Sequence, residues 1–83
     1  MDPQRLQISL GGVIRAARLD LGYSQESFAY AVGIHRTYRG AVERGERNVS
    51  LRNLVRISNA LRIPLSRLIA EAENELMALG DRG

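Results

Sequence analysis

The chain has 83 residues, all twelve of its basic residues are arginine, it contains no cysteine, and its formal net charge is +3. A chain of this length forms one domain at most, and the lack of cysteine excludes disulfides and thiolate metal sites. The single histidine cannot hold a metal ion by itself, and no apolar run approaches the roughly 18 residues that a membrane span requires. We therefore expect a small globular protein with no cofactor, no metal and no membrane partner.

Charge is distributed unevenly along the chain. Residues 1–67 carry a formal charge of +6, whereas residues 68–83 carry −3. A basic body indicates a polyanionic partner, and the acidic end should lie away from that partner. The first residues lack the basic and apolar segments of a signal peptide. We expect a cytoplasmic, nucleoid-associated protein.

The first predicted helix begins at Ser9, which can cap its N-terminus, and ends at Gly22. Residues 1–8 would then form an N-terminal arm. The Gly11–Gly12 pair precedes a helix but lacks the fingerprint of a phosphate-binding loop, so we expect it to be only a loop entry. The apolar face at helical spacing consists of Leu10, Ile14, Ala17 and Leu21.

Two further helices are predicted on either side of a turn at Gly33. Ser24 can cap the earlier one, but Ser27 stands where a capping box prefers Glu or Gln, which predicts an incomplete box. The later one is predicted as a single helix over residues 35–44, ended by Gly45. The inner face of the earlier helix consists of Phe28, Ala29 and Val32.

The last two predicted helices meet at Pro64. Ser50 caps the first of them, and Pro64 fits the first turn of the second, where its missing N–H does no harm. Residues 80–83 are expected to be a frayed tail. Because none of these short helices is stable alone, the pattern predicts a compact all-α bundle of five helices over residues 9–79. The two apolar stripes are Leu51, Leu54, Val55, Ile57, Ser58 and Leu61, then Leu65, Leu68, Ile69, Ala72, Leu76 and Leu79.

The stretch from Ser24 to Gly45, a short helix, a glycine turn and a polar second helix, resembles the helix-turn-helix of the Cro/repressor family, also called the xenobiotic-response-element family. Residues 35–51, HRTYRGAVERGERNVSL, are similar to the restriction–modification controller proteins. The resemblance implies a lambda-repressor-like fold and a dimeric transcriptional regulator on paired operator half-sites. Its marks are Ile14-Arg15, Arg18, Ser24-Gln25, Ala29, Gly33, Val42-Glu43-Arg44-Gly45, Leu54, Ile57 and Leu61.

The resemblance also implies a role for individual residues on double-stranded DNA. Arg36 is the best candidate for a guanine contact, because its guanidinium matches O6 and N7 of that base. Gln25, at the start of a helix, corresponds to a residue that binds a backbone phosphate. The full base-contacting set is His35, Arg36, Thr37 and Ala41, and the backbone-contacting set is Gln25, Tyr38, Arg44, Arg47, Asn48 and Ser50.

Two further sets of residues are implied to organise the protein itself. Arg18 and Glu43 match a buried ion pair that ties the first helix to the end of the recognition helix. The stripe on the last helix is first a core stripe, and its second interpretation is burial in a partner copy, which makes Leu65, Ile69 and Leu76 the predicted dimer interface. No small-molecule effector is indicated.

Arg39 departs from the family pattern, because relatives carry Ile, Val or Leu six residues after the turn glycine. Three interpretations remain. The Arg39 stem lies along the core edge while its head reaches water, or the side chain pairs with Glu43 or Glu46, or the substitution is destabilising.

Other functions are weaker interpretations of the same sequence. No serine or carboxylate forms a catalytic set with His35, so we do not expect an enzyme. An antitoxin-like interaction module of the same fold, with autoregulatory DNA binding, is the alternative to a sequence-specific regulator. For Arg52, Arg56 and Arg62 a solvated surface position is a better interpretation than a DNA contact.

Overall fold

The computed structural model describes residues 1–34, 38 and 40–82; the side chains of residues 79–82 lie outside this description. The described residues form four α-helices and no strand: α1 (Pro3–Asp20), α2 (Gln25–Val32), α3 (Leu51–Leu61) and α4 (Leu65–Arg82). The all-α class is confirmed, but the predicted count of five helices is not matched in this part of the chain. None of the helices described is long and apolar enough to cross a membrane.

The first helix begins six residues earlier than the sequence pattern predicts. Asp2 caps α1 by accepting a hydrogen bond from the Gln4 N–H at 2.9 Å, and Pro3 occupies the first turn. Proline is favoured there because its N–H would be unsatisfied in any case. Ser9 lies inside the helix, and its hydroxyl donates to the Ala72 carbonyl of α4 at 2.7 Å. The prediction of an N-terminal arm over residues 1–8 was therefore wrong.

The glycine pair inside α1 has a packing role that the sequence does not reveal. A Cβ at Gly11 would lie 2.5 Å from the carbonyl oxygen of Val42 and 2.6 Å from that of Glu43. A Cβ at Gly12 would have no neighbour within 4 Å. Gly11 thus lets α1 approach the backbone at residues 42–43 directly. Both glycines lie inside α1, so the interpretation of the pair as a loop entry was wrong.

The core lies where the helices converge, and it contains the predicted face of α2. Ile14, Phe28, Ile57, Leu68 and Ala72 are fully buried, and α1 packs along α4 over an extensive contact. Burial of a large apolar side chain contributes roughly 1.5–3 kcal/mol. Between α2 and α3, the described residues Ile34, Tyr38 and Val42 are buried in this core, whereas Arg44 and Arg47 are exposed.

The predicted stripe on α3 is only partly buried. Ile57, Ser58 and Leu61 face the core, whereas 70% of Leu51 and 42% of Val55 is exposed. Ser50 caps α3 as predicted, since its hydroxyl accepts from the Asn53 N–H at 3.1 Å.

Both ends of α4 differ from the predictions, since Pro64 was expected inside its first turn and residues 80–83 in a frayed tail. Arg62 ends α3 in a left-handed backbone conformation (φ 58°) that residues other than glycine seldom adopt. Pro64 precedes α4, and its carbonyl accepts from the N–H groups of Arg67 and Leu68. The helix then runs to Arg82, three residues into the predicted tail.

Candidate nucleic-acid interface

The N-terminus of α2 is fixed by two serines. Ser24 Oγ accepts from the Ser27 N–H at 3.0 Å, and Ser27 Oγ accepts from the Ser24 N–H at 3.0 Å. The capping box is therefore complete with serine at its third position, contrary to the prediction. This closed cap holds Gln25 at the first position of α2, where the remaining backbone donors and the positive end of the helix dipole favour an anion.

The turn after α2 brings the chain back towards the core. Gly33 adopts a left-handed conformation (φ 85°), and its N–H donates to the carbonyls of Ala29 and Tyr30. Ile34 follows as a buried residue. The predicted base-contacting residues His35, Arg36 and Thr37, together with Arg39, lie outside the described residues, so their roles stay predictions.

The segment after Tyr38 does not continue as a helix. Tyr38 is helical, but Gly40 has φ 82° and residues 40–45 form successive turns. The Ala41 N–H donates to the Tyr38 carbonyl at 2.7 Å, three residues back, as in a tight turn. The prediction of one continuous helix over residues 35–44 was wrong, because a left-handed glycine breaks it. Ala41, predicted to contact bases, is half-buried beside this break.

Arg18 and Glu43 meet in the interior. Arg18 Nε donates to Oε2 of Glu43 at 2.5 Å, and Nη2 donates to Oε1 at 3.0 Å. Arg18 Nη1 donates to the Tyr23 carbonyl at 2.7 Å, and the two charged residues are only 5% and 6% exposed. The hydrogen bond to Glu43 raises the pKa of Arg18. This bidentate pair ties α1 to the segment that follows α2.

Tyr38 is part of the same buried cluster. Its ring is fully buried and packs edge-on against Phe28, with centroids 5.4 Å apart. Its hydroxyl donates to Oε2 of Glu43, and burial raises the pKa of that hydroxyl above its usual value. A side chain in this position cannot lie against a sugar-phosphate backbone, so the prediction of a DNA contact by Tyr38 was wrong.

Glu43 also connects the buried cluster to the surface. The Gln25 side-chain Nε2 donates to Oε1 of Glu43 at 3.4 Å, and Gln25 itself is exposed. Burial by itself would raise the pKa of the Glu43 carboxyl, but the hydrogen bonds from Arg18 and Tyr38 outweigh it, and the pKa is lowered. The ionised carboxylate therefore orients an exposed amide at the start of α2, and the NH2 group of that amide has two donors, of which Glu43 accepts one.

The remaining predicted backbone contacts lie between Gly40 and α3. Arg44, Arg47 and Asn48 are exposed and line one groove with the N-terminal turns of α1. Arg44 is paired with Glu46, and this pair lowers the pKa of the Glu46 carboxyl. Ser50 is exposed, but its oxygen is used in capping α3. Arg44 also approaches Gln25, because both side chains lie beside Gly40.

The predicted dimer residues are all half-buried in the single chain. Leu65, Ile69 and Leu76 lie on α4, and Ile69 packs against the core cluster. For Arg39, the two acids proposed as partners both have other arginine partners, Glu43 with Arg18 and Glu46 with Arg44.

A family model described as helix-turn-helix matches residues 14–68, from α1 into α4. The chain is also similar to the control protein C.MunI from a Mycoplasma species. The two are 48% identical over 62 residues, which cover 75% of this chain and 81% of that protein.

Two solved structures have the same fold. The restriction-modification controller protein C.AhdI from Aeromonas hydrophila is 42% identical, with a TM-score of 0.70, and the match covers 75% of this chain and 94% of that one. The clp gene regulator ClgR from Corynebacterium glutamicum is 26% identical, with a TM-score of 0.86, and the match covers 93% of this chain and 82% of that one. The resemblance seen in the sequence is thereby confirmed.

Proposed function

Because this chain belongs to the helix-turn-helix family and is a DNA-binding transcriptional regulator, we propose that it acts as a homodimer on a pseudo-palindromic operator. Two recognition segments would then enter successive major grooves about 34–36 Å apart. The family is one of DNA-binding regulators rather than enzymes. The site of action is the cytoplasm, where the operator DNA lies.

One observation carries the proposal. Glu43 is held in the interior by Arg18 and Tyr38, and it in turn orients the exposed amide of Gln25 at the start of α2. Arg44 lies beside that amide. An amide and a guanidinium at a helix N-terminus are the groups with which proteins bind DNA phosphates and fix their register on the duplex.

The contacts divide by what they recognise. The sugar-phosphate backbone is bound by five exposed residues, Gln25, Arg44, Arg47, Asn48 and Ser50. The bases are contacted by His35, Arg36, Thr37 and Ala41, with Arg36 on a guanine; these assignments rest on the family resemblance. Leu65, Ile69 and Leu76 complete their burial in the partner copy.

Two arginine variants test whether base contacts and backbone contacts are made by different residues. Selection from a pool of random duplexes identifies the operator, and fluorescence anisotropy then measures affinity. Arg36→Ala should cost about 1–3 kcal/mol on the operator and relax one base position. Arg47→Ala should weaken binding to all duplexes and lower the salt slope by about one. If Arg36→Ala leaves discrimination intact, the base assignment fails; if no duplex is enriched, the antitoxin-like alternative is favoured.

Dimerisation and the regulated genes have their own tests. Sedimentation over a range of concentrations should show a dimer, and a monomer at the highest concentration would contradict the proposal.

The relatives C.MunI and C.AhdI are named as control or controller proteins, and we extend restriction–modification control to this chain. Genes for a restriction enzyme and a methyltransferase should then neighbour its own gene, and their absence would remove this extension.

A further inference from the structure

One edge of the Arg44 guanidinium is already occupied within the protein. Its Nε donates to Oε2 of Glu46 at 2.9 Å, and its Nη2 donates to Oε1 at 3.0 Å. Two parallel hydrogen bonds from one guanidinium edge are also how arginine binds phosphate. The two side chains are 58% and 57% exposed, so a phosphate can reach the pair from solvent.

The third nitrogen of Arg44 lies towards the N-terminus of α2. A Cβ placed at Gly40 would be 2.7 Å from Arg44 Nη1 and 3.1 Å from Gln25 Nε2. Arg44 and Gln25 therefore belong to one donor surface, separated only by a glycine. Glu46 puts a carboxylate on that surface, although the surface otherwise suits an anion from outside.

We propose that Glu46 occupies the place of a DNA phosphate on Arg44 and thereby lowers the affinity of this protein for DNA of every sequence. The inference rests on the proposed phosphate-binding role of Arg44. A phosphate that takes this edge must displace the carboxylate, so its gain in binding is reduced by the loss of the Arg44–Glu46 pair. Because exposed ion pairs are weak, the phosphate displaces the carboxylate. It gains less binding free energy than it would on an arginine without a partner.

The chain provides a matched control for this effect. Arg67 and Glu71 form a second exposed pair on α4, where Arg67 Nε donates to Glu71 Oε1 at 3.3 Å. Glu71→Gln changes the net charge by the same amount as Glu46→Gln. It does so on a helix that contributes no residue to the proposed phosphate-binding set.

The experiment measures anisotropy of a labelled duplex of random sequence at several salt concentrations. It compares the unaltered protein with Glu46→Gln, Glu71→Gln, Arg44→Gln and the double variant Arg44→Gln/Glu46→Gln. Glu46→Gln should tighten binding about two- to fivefold at low salt and steepen the salt dependence by up to about 0.9 in log–log slope. Glu71→Gln should have a smaller effect, and the gain from Glu46→Gln should vanish when Arg44 is glutamine.

Each other outcome has a definite meaning. Equal gains for Glu46→Gln and Glu71→Gln would overturn the inference, because net charge alone would explain both. A gain that persists without the arginine would also overturn it, because Glu46 would then act directly on DNA. If the unaltered protein binds no duplex at any salt concentration, the proposed function fails first and this inference falls with it.

Discussion

Two arginine–glutamate pairs, which adjoin in the sequence at Glu43 and Arg44, have opposite surroundings. Arg18 and Glu43 are almost entirely buried, while Arg44 and Glu46 are more than half exposed. Both pairs are bidentate. A buried pair that loses one partner leaves an uncompensated charge in the interior, whereas an exposed pair exchanges with water and other ions at little cost. Burial therefore makes the first pair structural and leaves the second available for a ligand.

The largest expected effect comes from breaking the buried pair. Glu43→Gln keeps the shape of the side chain but leaves the Arg18 guanidinium buried without its counter-charge. We expect a loss of about 3–5 kcal/mol in the free energy of unfolding, measured by urea denaturation. Glu71→Gln, on the exposed face of α4, is the control. If the two variants lose similar amounts, the buried pair is not what holds α1 to the following segment.

Acid should weaken the same pair, although less completely. The hydrogen bonds from Arg18 and Tyr38 outweigh the effect of burial and lower the pKa of Glu43. A carboxyl with a lowered pKa contributes stability that is fully present above its unfolded pKa, about 4.3, and that is lost as pH falls through the folded-state pKa. The urea concentration at the unfolding midpoint should therefore decrease when the pH is lowered below about 4. This decrease should be smaller in Glu43→Gln. Parallel pH curves for both proteins would contradict this.

Tyr38→Phe isolates the third member of the buried cluster. It removes the hydroxyl that donates to Glu43 but keeps the ring against Phe28. We expect a loss of about 1.5–3 kcal/mol, since the lost bond is to a charged group. Tyr30→Phe is the control, because Tyr30 is 80% exposed. A fall in DNA affinity with unchanged stability would restore Tyr38 as a backbone contact.

The glycine pair of α1 tests how closely that helix must approach Glu43. Gly11→Ala places a methyl group against the carbonyls of Val42 and Glu43, and such overpacking costs about 1–3 kcal/mol. Gly12→Ala meets nothing and should instead stabilise the helix by about 0.5–1 kcal/mol. Thermal unfolding of the two single variants gives the comparison. If both substitutions change the stability in the same direction, α1 does not need this close approach.

The smallest effect on stability is expected at the exposed pair. Glu46→Gln should leave the urea midpoint where it is, since both partners are well solvated. The same variant changes DNA affinity in the proposal above, so the two measurements together separate a binding role from a structural one. A clear drop in the midpoint would make Glu46 a structural residue and reduce the contrast between the pairs.

The accuracy of the sequence predictions differed from one feature to another for identifiable reasons. Serine caps at α2 and α3 were predicted correctly, because capping depends on residues within one turn. The start of α1 was predicted wrongly, because Ser9 is also a good capping residue, whereas the cap that forms is Asp2. The Arg18–Glu43 pairing followed from family resemblance, not from any local signal.

The sequence by itself determined the all-α class, several helix ends and membership of a DNA-binding family, since these depend on local spacing and on a motif. Only the tertiary structure decided which side chains are covered. It buries Tyr38, leaves Leu51 and Val55 exposed and pairs Arg44 with Glu46 of the same chain. Periodicity shows which residues share a face of a helix. Whether that face is covered depends on neighbours that are distant in the chain, so burial and its electrostatic consequences arise only when the helices meet.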